Sequence, residues 1–97
     1  MDRLFLLRNL DVTALSLAAE SESSVLLLMQ DAVLMLNESR REARLIDAVL
    51  ERERPVYYLD KDAERRGLKG KLVSGAQPLD YDGVVDLLFS GATVINL

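Results

Sequence analysis

The clearest hydrophobic pattern in the chain is a run of five apolar residues, 25–29, which stops at Gln30 and Asp31. An apolar run of this length between polar flanks is typical of a strand buried on both faces of a parallel sheet. The pattern therefore predicts a central strand that brings Gln30 and Asp31 to its carboxyl edge. In open α/β sheets, ligands and partners bind at that edge.

Shorter apolar runs predict the remaining strands. Residues 4–7 are a candidate first strand, and residues 56–59 are a third strand, rich in β-branched and aromatic side chains. Residues 78–80 are a candidate fourth strand. The last segment, residues 93–97, is a mainly apolar tail.

Polar residues at segment starts predict where the helices begin. Asp11, Asp31, Asp60 and Asp82 each precede a helical pattern and are candidate N-caps. The longest helix is expected over residues 40–54, which are amphipathic and precede Pro55, a residue that cannot continue a helix. The short helix after Asp60 is expected to end at Gly67 in a left-handed conformation.

The alternation of strands and helices predicts the fold class. We expect an α/β protein with three layers, in which a small, mostly parallel sheet carries helices on both faces. A length of 97 residues predicts a single domain over residues 1–97. The chain has neither the apolar span of a membrane helix nor a signal-peptide pattern, so a soluble, cytoplasmic protein is expected.

Charge is unevenly distributed along the chain, whose net charge is −4. Ten of the twelve Lys and Arg residues lie in residues 40–71, and that segment has a net charge of +3. Two interpretations stay open: two solvated helices of mixed charge, or a weakly basic face that contacts an acidic partner or RNA. Because the whole chain is acidic, direct binding of nucleic acid or of an anionic membrane is not expected.

The chain has no Cys and no His, which restricts its chemistry. Ser-His-Asp and Cys-His catalysis and thiolate or imidazole zinc sites are excluded. The first predicted strand-to-helix turn, residues 8–11, has no glycine, so a dinucleotide fingerprint and a phosphate-binding P-loop are absent. We expect no cofactor and no metal.

Several polar residues at the predicted carboxyl edge have two interpretations. Asp31 and Asp60 are either helix caps or groups that contact a ligand or partner, and capping is favoured for both. One functional hypothesis is that the chain is an enzyme that uses Asp31 with Arg8 or Asn9 to act on a small ligand. This hypothesis would require a concave pocket at the carboxyl edge of the sheet. The apolar tail forms either an edge strand or a subunit interface. The candidate edge or interface residues are Arg8, Asn9, Gln30, Asp31, Asp60, Val94, Ile95 and Leu97.

Three segments resemble the DsrH/TusB proteins. Residues 25–33 resemble their apolar strand ending in Gln-Asp-Gly-Val or Glu-Asp-Gly-Val, and residues 56–68 resemble their strand, acidic turn and Ala-Arg-Gly-Leu segment. Residues 79–87 resemble their closing Asp-Tyr-x-x-Phe-Val-x-Leu element. The chain departs from the pattern at Ala32, where the family has glycine, and lacks the family's C-terminal tryptophan.

The resemblance implies a subunit of a sulfur relay of the DsrE/DsrF/DsrH type. Relatives form hetero-oligomers of small α/β subunits that pass persulfide sulfur between cysteines, toward thiouridine formation in transfer RNA or in sulfur oxidation. Some DsrH-type members carry a cysteine in the first helix, and the matching position here is Ser16. The resemblance therefore implies a non-catalytic subunit whose partners are DsrE/DsrF-like (TusD/TusC-like) chains. A stand-alone homodimer with a binding or regulatory role is the alternative.

Overall fold

The computed structural model describes residues 3–97. Along the chain the elements are β1 (Arg3–Leu7), α1 (Val12–Glu20), β2 (Ser24–Leu28), a 3₁₀ helix (Gln30–Leu36), α2 (Ala43–Glu51), β3 (Val56–Leu59), α3 (Asp60–Arg65), β4 (Gln77–Leu79), α4 (Tyr81–Leu88) and β5 (Thr93–Asn96).

The five strands form one parallel sheet in the order β4-β3-β2-β1-β5. β2 lies at the centre, and all five of its residues are buried. This confirms the prediction of an α/β fold with a parallel sheet. The chain begins near the middle of the sheet, builds outward to β4, and then returns to the opposite edge for β5.

The two faces of the sheet carry separate hydrophobic clusters, because successive strand residues point to opposite sides. Leu26 and Leu28 face the cluster that includes buried residues of α1, the 3₁₀ helix, α2 and α3. Val25 and Leu27 face a smaller cluster, to which α4 contributes Val84. One face is therefore covered by four helical segments, and the other by the eight-residue helix α4.

Helix capping agrees with the sequence prediction only at α1. The Asp11 carboxylate accepts hydrogen bonds from the backbone N–H groups of Thr13 and Ala14, at 3.0 and 3.2 Å. The cap of α4 is Asp80 rather than Asp82, because β4 ends one residue earlier than predicted. Asp80 accepts a hydrogen bond from the N–H of Gly83 at 2.7 Å.

The predictions that Asp31 and Asp60 are N-caps are wrong. The 3₁₀ helix begins at Gln30, so Asp31 lies inside its first turn and Met29 occupies the cap position. α3 begins directly at Asp60, with Leu59 of β3 at its cap position. Neither aspartate accepts a capping hydrogen bond, because the 3₁₀ helix starts two residues, and α3 one residue, too early for that geometry.

The helix predicted over residues 40–54 is shorter in the structure. It spans Ala43–Glu51, and the chain then turns through Glu53, which has a positive φ of 61°. After this turn, the Arg54 side chain lies against the C-terminal carbonyls of α1. Within residues 3–97, no helix has both the length and the apolar character needed to cross a membrane.

Candidate functional site at the carboxyl edge of the sheet

The carboxyl ends of β2 and β3 are joined through a buried carboxylate. Asp62, on α3, is 5% exposed, and its Oδ2 accepts a hydrogen bond from the backbone N–H of Gln30 at 2.6 Å. Gln30 has a positive φ of 51°, a conformation that a side chain rarely adopts without support. Asp62 therefore supplies the acceptor that the start of the 3₁₀ helix needs.

An arginine completes this connection. Arg66 donates from Nε and from NH2 to Asp31 Oδ1, at 3.1 and 3.0 Å. Its NH1 donates to the backbone carbonyl of Asp62 at 3.1 Å, and the Asp62 Oδ1 lies 3.7 Å from NH1. We refer to Gln30, Asp31, Asp62 and Arg66 as the carboxyl-edge cluster.

The cluster engages Asp31, the carboxylate that the sequence offered as a candidate reactive group. The Asp31 and Asp62 carboxylates both pair with Arg66, and Asp62 also lies 3.7 Å from the guanidinium of Arg65. Within residues 3–97, no group of three or more His, Cys, Asp and Glu residues is arranged to hold a metal ion. The arrangement fixes two strand-to-helix turns against each other.

A cavity of about 450 Å³ lies beside α3 and contains the other predicted edge aspartate. Asp60 lines it together with Tyr58, Glu64 and Lys69. Burial raises the pKa of the Tyr58 phenol, and the negative charge of Asp60 raises it further. The surroundings of Tyr58 in this cavity therefore favour the neutral form of its phenol.

The remaining edge candidates are exposed. Arg8 and Asn9 follow β1 and have exposed side chains. The described residues show no hydrogen bond or ion pair from Arg8 or Asn9 to Asp31, whose partner is Arg66. The structure thus brings Gln30 and Asp31 together with Asp62 and Arg66, and leaves Arg8 and Asn9 outside the cluster.

Ser16 lies on α1, away from the carboxyl-edge cluster. Its hydroxyl donates to the backbone carbonyl of Val12 at 2.8 Å, a bond within the helix. The side chain lines a small cavity between α1 and α2, together with Ala19, Leu45 and Arg52. The Ser16 hydroxyl is therefore engaged in a hydrogen bond within its own helix.

The tail forms the edge strand β5, and its side chains divide between the two faces of the sheet. Ile95 and Leu97 pack, partly buried, against the larger hydrophobic cluster. Val94 is 37% exposed, and it is in register with Leu4, whose side chain faces α4. The edge-strand interpretation accounts for Ile95 and Leu97, whereas Val94 is available for contact.

Three large apolar side chains are exposed along α4. Tyr81, Val85 and Phe89 are spaced by four residues, so they lie along one side of α4 and the residue that follows it. Their exposed fractions are 51%, 50% and 84%. We refer to these three residues as the α4 stripe.

Sequence reasoning missed the residues that organise both edges of the sheet. Asp62 and Arg66 lay in the family-like segment 56–68 and were given no site role, and Arg54 was placed on the polar face of the helix predicted over residues 40–54. Arg54 is instead 6% exposed and donates hydrogen bonds to the last carbonyls of α1. The only sequence signal for its burial is its position immediately before Pro55, which biases it to extended backbone.

Four of the ten basic residues in the predicted basic segment, residues 40–71, are paired with carboxylates. Arg40 donates to Glu42 at 2.8 Å, and this hydrogen bond lowers the pKa of the Glu42 carboxyl. Arg65 and Arg66 lie near Asp62, and Lys61 is 4.0 Å from Glu64. These pairs favour the interpretation of solvated helices with mixed charge over a continuous basic face.

A family model described as "DsrH like protein" matches residues 8–94. The chain belongs to the DsrH-like family. The match covers the carboxyl-edge cluster, the α4 stripe and Ser16, so these features lie within the family's domain. It supports a role as a subunit of the sulfur-relay type.

The crystal structure of the ychN protein from E. coli is similar to this DsrH-like chain over its full length. The two superpose with a TM-score of 0.83 at 18% sequence identity, covering 100% of both chains. At this identity the similarity shows the shared fold alone. A search of curated proteins found no match to this chain.

Proposed function

We propose that this DsrH-like chain is a non-catalytic subunit of a sulfur-relay complex, in which cysteine-bearing DsrE/DsrF-like subunits carry the sulfur. Family membership supports the relay role. Persulfide chemistry needs a thiolate, and these 97 residues include no cysteine. Ser16, at the position of a cysteine in some relatives, has a hydroxyl bonded to Val12.

The α4 stripe is the observation that carries the subunit proposal. Three large apolar side chains in one row, one of them 84% exposed, form a surface typical of a protein contact. The acidic residues Asp82 and Asp86 lie on the same short helix. We infer that a DsrE/DsrF-like partner covers the stripe with an apolar surface bordered by basic residues.

Co-expression tests this proposal directly. The chain is produced with the DsrE/DsrF-like proteins encoded in the same genome, and the mass of the purified assembly is measured by native mass spectrometry. A hetero-oligomer containing this chain is the expected result. If the chain purifies alone in the presence of those proteins, the subunit proposal is wrong.

The fate of the sulfur is measured separately. If the complex supports transfer RNA modification, a strain lacking this chain is expected to lose thiouridine from its transfer RNA, as measured by nucleoside mass spectrometry. Unchanged thiouridine together with reduced sulfur oxidation would assign the complex to sulfur oxidation instead.

A stand-alone homo-oligomer is the second candidate, and the open edge of β5 favours it. Among the strands of residues 3–97, β5 pairs only with β1, so its outer backbone groups face away from the sheet. Such an edge is a template for pairing with another chain. Analytical ultracentrifugation distinguishes the hetero-oligomer from the homo-oligomer. A stable homodimer that does not bind DsrE/DsrF-like proteins would support only the homo-oligomer.

A further inference from the structure

A groove of about 600 Å³ lies at the amino edge of the sheet, opposite the carboxyl-edge cluster. It is bounded by the turn that precedes β2 and by the segment 52–55 that precedes β3. Because parallel neighbouring strands begin at the same edge, these two segments face each other across the groove. Arg52 and Arg54 both line it.

Arg54 is a buried cation held by neutral oxygen atoms. Its NH1 and NH2 donate to the carbonyls of Ala19 and Ala18, each at 2.8 Å. Its Nε donates to the carbonyl of Ser24 at 3.3 Å, and NH2 also donates to the Ser24 hydroxyl. A guanidinium has five N–H groups, so these four bonds leave one NH1 donor without a described partner.

A second guanidinium converges on the same oxygen. NH1 of Arg52 donates to the carbonyl of Ala19 at 3.3 Å, so Arg52 and Arg54 share one acceptor. The ion pairs of the described residues include neither arginine. Burial and the charge of Arg52 both lower the pKa of Arg54.

Two adjacent like charges without a carboxylate partner are electrostatically unfavourable. The carbonyl end of α1 offsets part of this cost, because the partial charge at a helix C-terminus is negative. An anion placed between the two guanidiniums would offset the rest, and charge-assisted hydrogen bonds to it are strong.

We propose that this groove binds a small tetrahedral oxyanion of the phosphate class, held by the unused N–H groups of Arg52 and Arg54. Ser21 and Ser23 line the same groove and offer hydroxyl donors. The exposed carboxylates of Glu22 and Glu53 also lie there. Their charge disfavours an extended polyanion such as RNA, whereas a compact anion can contact the arginines between them. This site is independent of the proposed sulfur-relay role.

Inorganic phosphate is the probe for this site. The purified chain is titrated with sodium phosphate and, separately, with sodium chloride at matched ionic strength, and backbone amide shifts are followed by NMR. Phosphate is expected to shift the amides of residues 21–24 and 52–55 in a saturable manner, whereas chloride does not. Equal effects of the two salts would overturn the proposal.

Two matched variants test the role of the guanidinium. Arg52→Gln removes the exposed arginine of the groove, and Arg44→Gln removes an exposed arginine of α2 that does not line it. Arg52→Gln is expected to weaken phosphate binding about tenfold, which corresponds to the loss of one charge-assisted hydrogen bond. Arg44→Gln is expected to bind like the parent chain.

Equal weakening by both variants would show a general charge effect and overturn the site. A short RNA oligonucleotide provides the remaining comparison. If the oligonucleotide shifts the amides of residues 21–24 and 52–55 at a lower concentration than phosphate does, the groove is a polyanion surface. The proposal of a small-oxyanion site is then wrong.

Discussion

Arg66 donates two hydrogen bonds to a single oxygen of Asp31, a residue that lies 35 positions earlier in the sequence. The contact joins the turn that follows β2 to the end of α3. Asp62 strengthens the same connection from within, because its buried carboxylate accepts the N–H of Gln30. Side chains of the chain itself thus hold the turn after β2 against α3 at the carboxyl edge of the sheet. We expect the carboxyl-edge cluster to contribute to the free energy of unfolding.

Asp62→Ala should destabilise the protein considerably more than Asp31→Asn. Removing the Asp62 carboxylate leaves the N–H of Gln30 without its acceptor and takes away the negative charge 3.7 Å from Arg65 and Arg66, at a cost of about 2 kcal/mol in the free energy of unfolding. The Asp31–Arg66 pair is exposed on the Asp31 side, so its loss should cost less than about 1 kcal/mol. Urea unfolding of the two variants measures the difference, and equal costs would contradict this division of roles.

Arg54→Met should be among the most destabilising substitutions at a charged position in this chain. The variant keeps an apolar stem of similar length but removes the guanidinium that donates to the carbonyls of Ala18, Ala19 and Ser24. We expect a loss of about 3 kcal/mol, measured by urea unfolding. Arg44→Met, at an exposed position of α2, is the matched control and should change stability by less than about 0.5 kcal/mol. Similar losses in both variants would show that Arg54 is not a buried helix-capping group.

The sequence was sufficient to predict the elements whose pattern is local. The apolar run of β2 and the Asp11 cap of α1 depend on neighbouring residues, and both predictions are confirmed to within one residue. The α/β fold follows from the alternation of such elements. The resemblance to the DsrH family also rests on local motifs, and the family match confirms it.

The candidate site was harder to predict because its contacts are distant in sequence. Asp31 and Asp60 follow strands at positions where caps are common, but helix starts that lie two residues and one residue earlier than predicted move both inside the first turn. Which residues of α3 face Asp31 depends on the phase of that helix, which the strand pattern does not determine. Arg54 was misplaced for a similar reason, since a positive φ at Glu53 reverses its direction.

The protein should lose stability at alkaline pH partly through Tyr58. Its pKa is raised in the folded protein, so the folded state holds this proton more tightly than the unfolded chain does. Its contribution to the free energy of unfolding therefore declines as pH rises above the ordinary tyrosine pKa of about 10. Tyr58→Phe, which has no titrating group, should lose less stability than the parent between about pH 8 and about pH 11.

Tyr81→Phe is the control for this pH experiment, since Tyr81 is about half exposed on the α4 stripe. Urea unfolding at each pH gives the comparison. If Tyr58→Phe and Tyr81→Phe show the same pH dependence as the parent, burial of the Tyr58 phenol does not contribute to alkaline instability.

A charge on the α4 stripe should block assembly without unfolding the chain. Phe89→Asp places a carboxylate on the most exposed large apolar residue within residues 3–97, which belongs to neither hydrophobic cluster. Leu17→Asp makes the same change at an exposed apolar residue of α1, on the other side of the sheet, and serves as the control. We expect Phe89→Asp to abolish co-purification with DsrE/DsrF-like proteins, whereas Leu17→Asp retains it and both variants unfold like the parent in urea. The opposite pattern, with assembly lost only in Leu17→Asp, would place the partner on α1 and contradict the assignment of the α4 stripe.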